Sequence, residues 1–263
     1  MKKRAYLREM QYRDDTNLNA RSALHERFSV NPVGLQRWVF DQLDLPARAR
    51  ILEVGCGPGN LWVANVARIP EGWQIVLSDF SPGMVRAARR RLSSRSFAFE
   101  VADAEAVPHR AGTFDAVIAN HMLYHVSNRR RAIAEFGEVL KPDGVLYAVT
   151  NGLGHMREID DLLAARGVSE AGAGHSRAFG LETGGDQLRS SFGEVELRRY
   201  EDRLEVTDPD AIVAYVLSMS VARLVNADEL RREICAVIAR DGLFAVSKAT
   251  GMFVARSPLP PQP

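Results

Sequence analysis

Residues 51–60 read Ile51-Leu52-Glu53-Val54-Gly55-Cys56-Gly57-Pro58-Gly59-Asn60. A short apolar run passes into three glycines at alternate positions, and a helical stretch starts near Leu61. Glycines at the end of a strand let a ligand touch the backbone, because no Cβ stands in the way. The spacing is G-x-G-x-G, whereas the dinucleotide fingerprint is G-x-G-x-x-G and holds a pyrophosphate at the helix N-terminus. Asn60 stands where that fingerprint has its third glycine.

Downstream the chain keeps one rhythm. Further short apolar runs lie at 75–77, 97–101, 116–120 and 145–150, separated by longer helical stretches. That alternation predicts an α/β fold with a doubly wound, mostly parallel sheet. Ser81-Pro82 reads as a helix cap followed by proline at the first helical position, with Met84, Val85, Ala88 and Leu92 turned inward. A second helix over about 128–140 buries Ile133, Phe136, Val139 and Leu140 and stops at the turn sequence Pro142-Asp143-Gly144. Asp79 follows the second run, twenty positions after Gly59, and Asp103 follows the third. In an open parallel sheet both stand beside the glycine turn, at the carboxyl edge where ligands bind. There Asp79 is placed to accept both hydroxyls of a ribose.

These residues resemble the class I S-adenosylmethionine (SAM)-dependent methyltransferases, in the small-molecule branch that includes the methyltransferase type 11 and UbiE-like proteins. The resemblance rests on ILEVGCGPG, SDFSPGMV, VADAEAVP, FDAVIANHMLYHV and LKPDGVLYAVT, which span about 51–150. It implies a Rossmann-like, seven-stranded sheet of order 3-2-1-4-5-7-6 with the seventh strand antiparallel. It also implies a cofactor site in which Gly55, Cys56, Gly57 and Gly59 turn beneath the methionine part of SAM and Glu53 lies near its amino group. Asp79 would take the ribose, Phe80 and Met84 would pack on adenine, and Asp103 and Ala104 would meet the adenine edge. Asn120 and His121 would flank the methionine part. The implied reaction is in-line methyl transfer to O, N or C of a small-molecule metabolite, with S-adenosylhomocysteine as product. An RNA or protein acceptor is the alternative within the fold; a NAD-dependent oxidoreductase or a non-catalytic SAM-binding protein is the alternative outside it.

The methyl group of a sulfonium is already activated, so the protein has to align a nucleophile, exclude water and accept a proton where one is released. No metal is needed. His121, Tyr124 and His125 follow the fourth strand and are the catalytic candidates. Each has a second reading: His125 as a helix-starting or packing residue, His121 as a residue that shapes the pocket, Tyr124 as a pocket wall. NHMLYH departs from the N/D-P-P-Y pattern of methyltransferases that act on nucleobase amines or glutamine, which argues against DNA-adenine chemistry. The triplets Arg89-Arg90-Arg91 and Arg129-Arg130-Arg131 lie on helices whose buried faces are already assigned, and read as solvated faces.

The flanks are less informative. Residues 1–45 are expected to form an N-terminal helical cap, with a helix starting at Asn31-Pro32. The methyltransferase domain is expected over 46–257, with substrate-cap insertions in 151–250. Glu196 to Val206 alternates like one exposed strand, GMFVAR at 251–256 supplies the last strand, and the proline-rich 258–263 is expected to stay unfolded. Tyr12, His25, Phe28, His155, Arg157, His175, Arg177 and Tyr215 are the candidate substrate contacts in these flanks.

The 263 residues are 46% hydrophobic and 25% charged, as in ordinary soluble globular proteins. A formal charge of +1 gives no whole-protein attraction to nucleic acid or an anionic membrane, so a small-molecule partner is favoured. Two cysteines are too few for a disulfide framework, for a multi-cysteine zinc site or for arsenic methylation, and a reduced, cytoplasmic setting fits. The N-terminus lacks the apolar region of a signal peptide, and no run approaches a membrane span. Oligomeric state is open.

Overall fold

The computed structural model describes residues 16–92, 97–168, 173–219 and 221–260. The strands are β1 (Arg50–Val54), β2 (Gln74–Asp79), β3 (Phe97–Val101), β4 (Phe114–Asn120), β5 (Leu140–Asn151), β6 (Phe192–Tyr200), β7 (Arg203–Val206), β8 (Phe244–Ser247) and β9 (Thr250–Pro258). Seven of them form one sheet of order β3-β2-β1-β4-β5-β9-β6, and β7 and β8 pair separately. The first five run parallel, while β9 lies antiparallel to both β5 and β6. The expected strand order is therefore observed, with β9 as the antiparallel seventh strand.

The central strands are covered on both faces, which is why they read as unbroken apolar runs. Ile51 and Leu52, neighbours in β1, enter opposite layers. On one side lie α2 (Leu35–Asp41), α3 (Asn60–Asn65) and α4 (Pro82–Arg91), packing Val39, Trp62 and Ala88 against Ile51, Ile75 and Tyr147. On the other lie α5 (Arg129–Val139) and α8 (Gly184–Arg189), packing Ile133, Phe136 and Leu188 against Val117, Leu146 and Phe253. The cap of α4 is as read: Ser81 Oγ accepts from the N–H groups of Gly83 and Met84, with Pro82 next in line.

A third cluster has its own core. The helices α1 (Thr16–Phe28), α6 (Arg157–Ala164), α9 (Pro209–Leu217) and α10 (Ala227–Asp241) join β7 and β8 around Leu24, Ile159, Leu204, Ile212, Ile234 and Phe244. The short helix α7 (Ala173–Ala178) lies between α6 and α8 in the chain. Among the described residues no helix is long and apolar enough to cross a membrane.

Four expectations are corrected. The helix after Asn31-Pro32 starts at Leu35 with Gly34 as its cap, because Asn31 Oδ1 instead closes a turn by accepting from the Val33 N–H at 2.8 Å. Glu196 to Val206 is not one strand: the chain leaves the large sheet after Tyr200 and enters the small one at Arg203. Pro142-Asp143-Gly144 makes a bulge inside β5, since Leu140 pairs with Phe114 and Val145 with Ala116. Pro258 is not unfolded, for it pairs with Phe192, and the Leu259 N–H donates to the Ser191 carbonyl. The end of the expected tail, 261–263, lies outside the described residues.

Candidate functional site

Gly55, Gly57 and Gly59 all adopt left-handed φ, at +68°, +55° and +77°, a region in which glycine alone is unstrained. A Cβ at Gly55 would stand 2.7 Å from the Cβ of Met122, so the turn from β1 into α3 passes against the loop after β4. Asp79, at the end of β2, ties the turn in place: Oδ2 accepts from the Gly57 N–H at 2.9 Å and Oδ1 from the Ser81 N–H at 2.7 Å. Burial pushes its carboxyl up to about 6 against the pull of those two donors. Each carboxylate oxygen accepts more than one hydrogen bond, so capacity remains for a ligand.

Glu53 lies below the turn. Its Oε2 accepts from Trp62 Nε1 at 2.6 Å and its Oε1 from Asn120 Nδ2 at 3.1 Å. Burial raises its carboxyl to about 8, opposed by Trp62 and Asn120 and assisted by the nearby Asp79. Asn120 Oδ1 is buried without a hydrogen-bond partner among the described residues. A buried acceptor left in this way is costly unless a ligand completes it. Cys56 is buried and its thiol is pushed well up, first by desolvation and then by Asp79 and Glu53, which makes it a packing residue.

These groups open into one cavity of about 990 Å³. Phe80 and Met84, after β2, and Asp103 and Ala104, after β3, line it as well. Asp103 Oδ1 accepts from the Glu105 N–H at 3.0 Å. Gly59 belongs to the turn but not to the wall. Among the described residues no group of three or more His, Cys, Asp or Glu is placed to hold a metal ion.

The opposite wall comes from the loop after β4 and from the third cluster. His121 is held at φ +51°, its N–H donating to the Val149 carbonyl at 2.9 Å, and this is a strained backbone for a residue with a Cβ. Burial and then Lys248 lower its imidazole to about 4. Tyr124 and His125 lie in a 3-10 turn over Leu123–His125, and His175 of α7 packs on both, with centroids 5.0 and 4.9 Å away. His25 of α1 stacks on His155 at 6.0 Å and meets Tyr215 edge-on at 6.2 Å. Burial, Lys248 and His121 lower His25 to about 3, and burial with the same neighbours holds His155 well below the usual imidazole range.

Of the candidate substrate contacts, His25, His155, His175 and Tyr215 thus reach the cavity, while Arg177 does not line it. Phe28 does not line it and packs in the third cluster, where Arg27 lies 4.8 Å over its ring; Arg157 is exposed and pairs with Glu158. Tyr12 lies outside the described residues. Sequence reasoning missed Lys248. Its ammonium is buried and paired with Asp202, which also accepts from Ser29 Oγ at 2.7 Å and the Asn31 N–H at 3.1 Å. Nothing in the spacing of Lys248 marks it, because Asp202 stands 46 residues away in a stretch without a regular period.

A profile described as a methyltransferase domain matches residues 52–148. A malonyl-[acyl-carrier protein] O-methyltransferase of Laribacter hongkongensis is 34% identical over 173 residues, 60% of this chain and 55% of the relative. A ubiquinone biosynthesis O-methyltransferase of Xanthomonas axonopodis pv. citri is 37% identical over 125 residues, 46% of this chain and 50% of the relative. The matched stretch thus spans about half the length of these curated relatives. Among solved structures, phosphoethanolamine N-methyltransferase 2 of Haemonchus contortus, in complex with SAM, has the same fold at TM-score 0.60 and 18% identity. That match covers 98% of this chain and 60% of the other.

Proposed function

Residues 52–148 belong to the class I SAM-dependent methyltransferases, and from that membership we propose that the protein transfers a methyl group from SAM to a small-molecule acceptor, releasing S-adenosylhomocysteine. The observation that carries the reading is the buried set around the glycine turn: Asp79 hooked to Gly57, and Glu53 beside the unsatisfied Asn120 Oδ1. SAM offers complementary groups, a ribose diol for Asp79 and an ammonium for Glu53 and Asn120 Oδ1. Phe80, Met84 and Ala104 give an apolar bed for adenine, and Asp103 an acceptor for its amine.

When bound, SAM supplies an electrophilic methyl group on a sulfonium. The chain's own residues bind, orient and shield. The cavity walls keep bulk water from the reacting atoms, and His121 and Tyr124 border the approach from the acceptor side. The first helix, α6, α9, α10 and the β7–β8 ribbon act as the substrate cap. A cavity of about 990 Å³ and a formal charge of +1 favour a metabolite over a nucleic acid, and the O-methyltransferase names of two relatives favour an oxygen acceptor.

Calorimetric titration with S-adenosylhomocysteine and with NAD tests the cofactor. Binding of S-adenosylhomocysteine alone is expected; binding of NAD alone overturns the reading. A metabolite screen for SAM consumption then identifies the acceptor.

A further inference from the structure

Three imidazoles wall the part of the cavity built by the third cluster. His25 reaches it from α1, His121 from the end of β4, and His155 from the loop after β5. The Nδ1 of His25 is buried without a hydrogen-bond partner among the described residues. Its ring contacts are His155 on its face and Tyr215 at its edge. An imidazole kept without partners in the interior costs stability unless a bound molecule supplies them.

The charges around this lobe favour an uncharged occupant. Among the described residues the cations on the wall are Lys248 and Arg37; Lys248 is committed to Asp202, and Arg37 is exposed. An anionic acceptor finds no free buried cation here. An ammonium would face Lys248 and the neighbouring sulfonium, against which stand the carboxyls of Asp160 in α6 and the exposed Glu26 in α1. A neutral imidazole offers one donor and one acceptor, which is the complement of a hydroxyl group. The rest of the lobe, including Tyr215, Met156, Ile159 and Met219, suits a flat apolar body.

Building on the methyl-transfer reading, we propose that the acceptor is an uncharged hydroxyl compound, a phenol or an enol, seated between His25, His121 and His155, and that His25 takes its proton. The acceptor oxygen bonds to the methyl carbon as its O–H bond breaks toward His25. The carbon–sulfur pair returns to sulfur. One positive charge disappears from sulfur and one arises on imidazole, so the net charge of the buried site is conserved through the step. Desolvation and Lys248 keep the imidazole uncharged before reaction, which is the form that accepts the proton.

The test is calorimetry on the full chain saturated with S-adenosylhomocysteine, with 4-ethylphenol, 4-ethylanisole, benzoate and benzylamine as probes. The phenol is expected to bind at least tenfold more tightly than each of the other three. In His25→Phe, which keeps the ring contacts but has no nitrogen, the preference for phenol over anisole should vanish while S-adenosylhomocysteine affinity stays unchanged. Rescue by His25→Gln, which restores an acceptor oxygen, should be partial. Tighter binding of benzoate or benzylamine, or a phenol preference retained in His25→Phe, overturns this assignment alone. Absence of S-adenosylhomocysteine binding overturns the cofactor reading and this assignment with it.

Discussion

Asp79 does two jobs with one carboxylate, holding the Gly57 turn and presenting acceptor capacity to the cavity. Asp79→Ala should weaken S-adenosylhomocysteine by about 2 kcal/mol, roughly thirtyfold, as for a charged hydrogen bond; unchanged calorimetric affinity would remove Asp79 from the site. Glu53 gives a prediction in pH. Its folded carboxyl sits at about 8, so it holds a proton at pH 7 and must release it to face an ammonium. Affinity for S-adenosylhomocysteine should therefore rise by up to roughly tenfold per unit between pH 6.5 and 7.5. The released proton should register in titrations run in buffers of different ionisation heat. Glu53→Gln should flatten that slope.

Among the elements, the glycine turn tolerates little change. At Gly55 an added Cβ meets both a left-handed backbone and the Cβ of Met122, an atom that cannot swing aside as a side-chain tip can. Gly55→Ala should cost about 1–3 kcal/mol of stability, read as a lower denaturant midpoint, and should lower cofactor affinity as well. The sheet elements were legible because parallel strands covered on both faces must be apolar throughout, and because each acidic residue directly after a run marks a carboxyl end. The regions that escaped reading have local rivals. Asn31 followed by proline looks like a helix cap, yet its side chain is used in a turn that points the chain toward Asp202. The break at Glu201-Asp202 has no glycine or proline to announce it, since the buried Lys248–Asp202 pair, and not turn chemistry, fixes the chain there. His25 and His155 could be named as candidates, but their meeting depends on the packing of α1 over β7, which no periodicity encodes.

For the whole molecule, the buried histidines set the acid side of stability. His25 at about 3 and His121 at about 4 lie below the ordinary imidazole value of 6.5, so the unfolded chain binds protons that the folded one refuses. Their contribution is fully present above pH 6.5 and is lost as pH falls toward 4 for His121 and toward 3 for His25. The midpoint of thermal unfolding should drop across that window, and less steeply in a His25→Phe variant. Glu53 acts with the opposite sign: its raised carboxyl favours the folded state at low pH and withdraws that support as pH climbs toward 8. The order of the large sheet also bears on how the chain is made. Among the described residues the sixth strand pairs only with β9, which is the last of the seven sheet strands to be synthesised, so until residues 250–258 emerge β6 has no partner and the flank of β5 is bare. A polypeptide cut short before residue 250 keeps the residues of the glycine turn yet exposes two unpaired edges, and its fate is self-association.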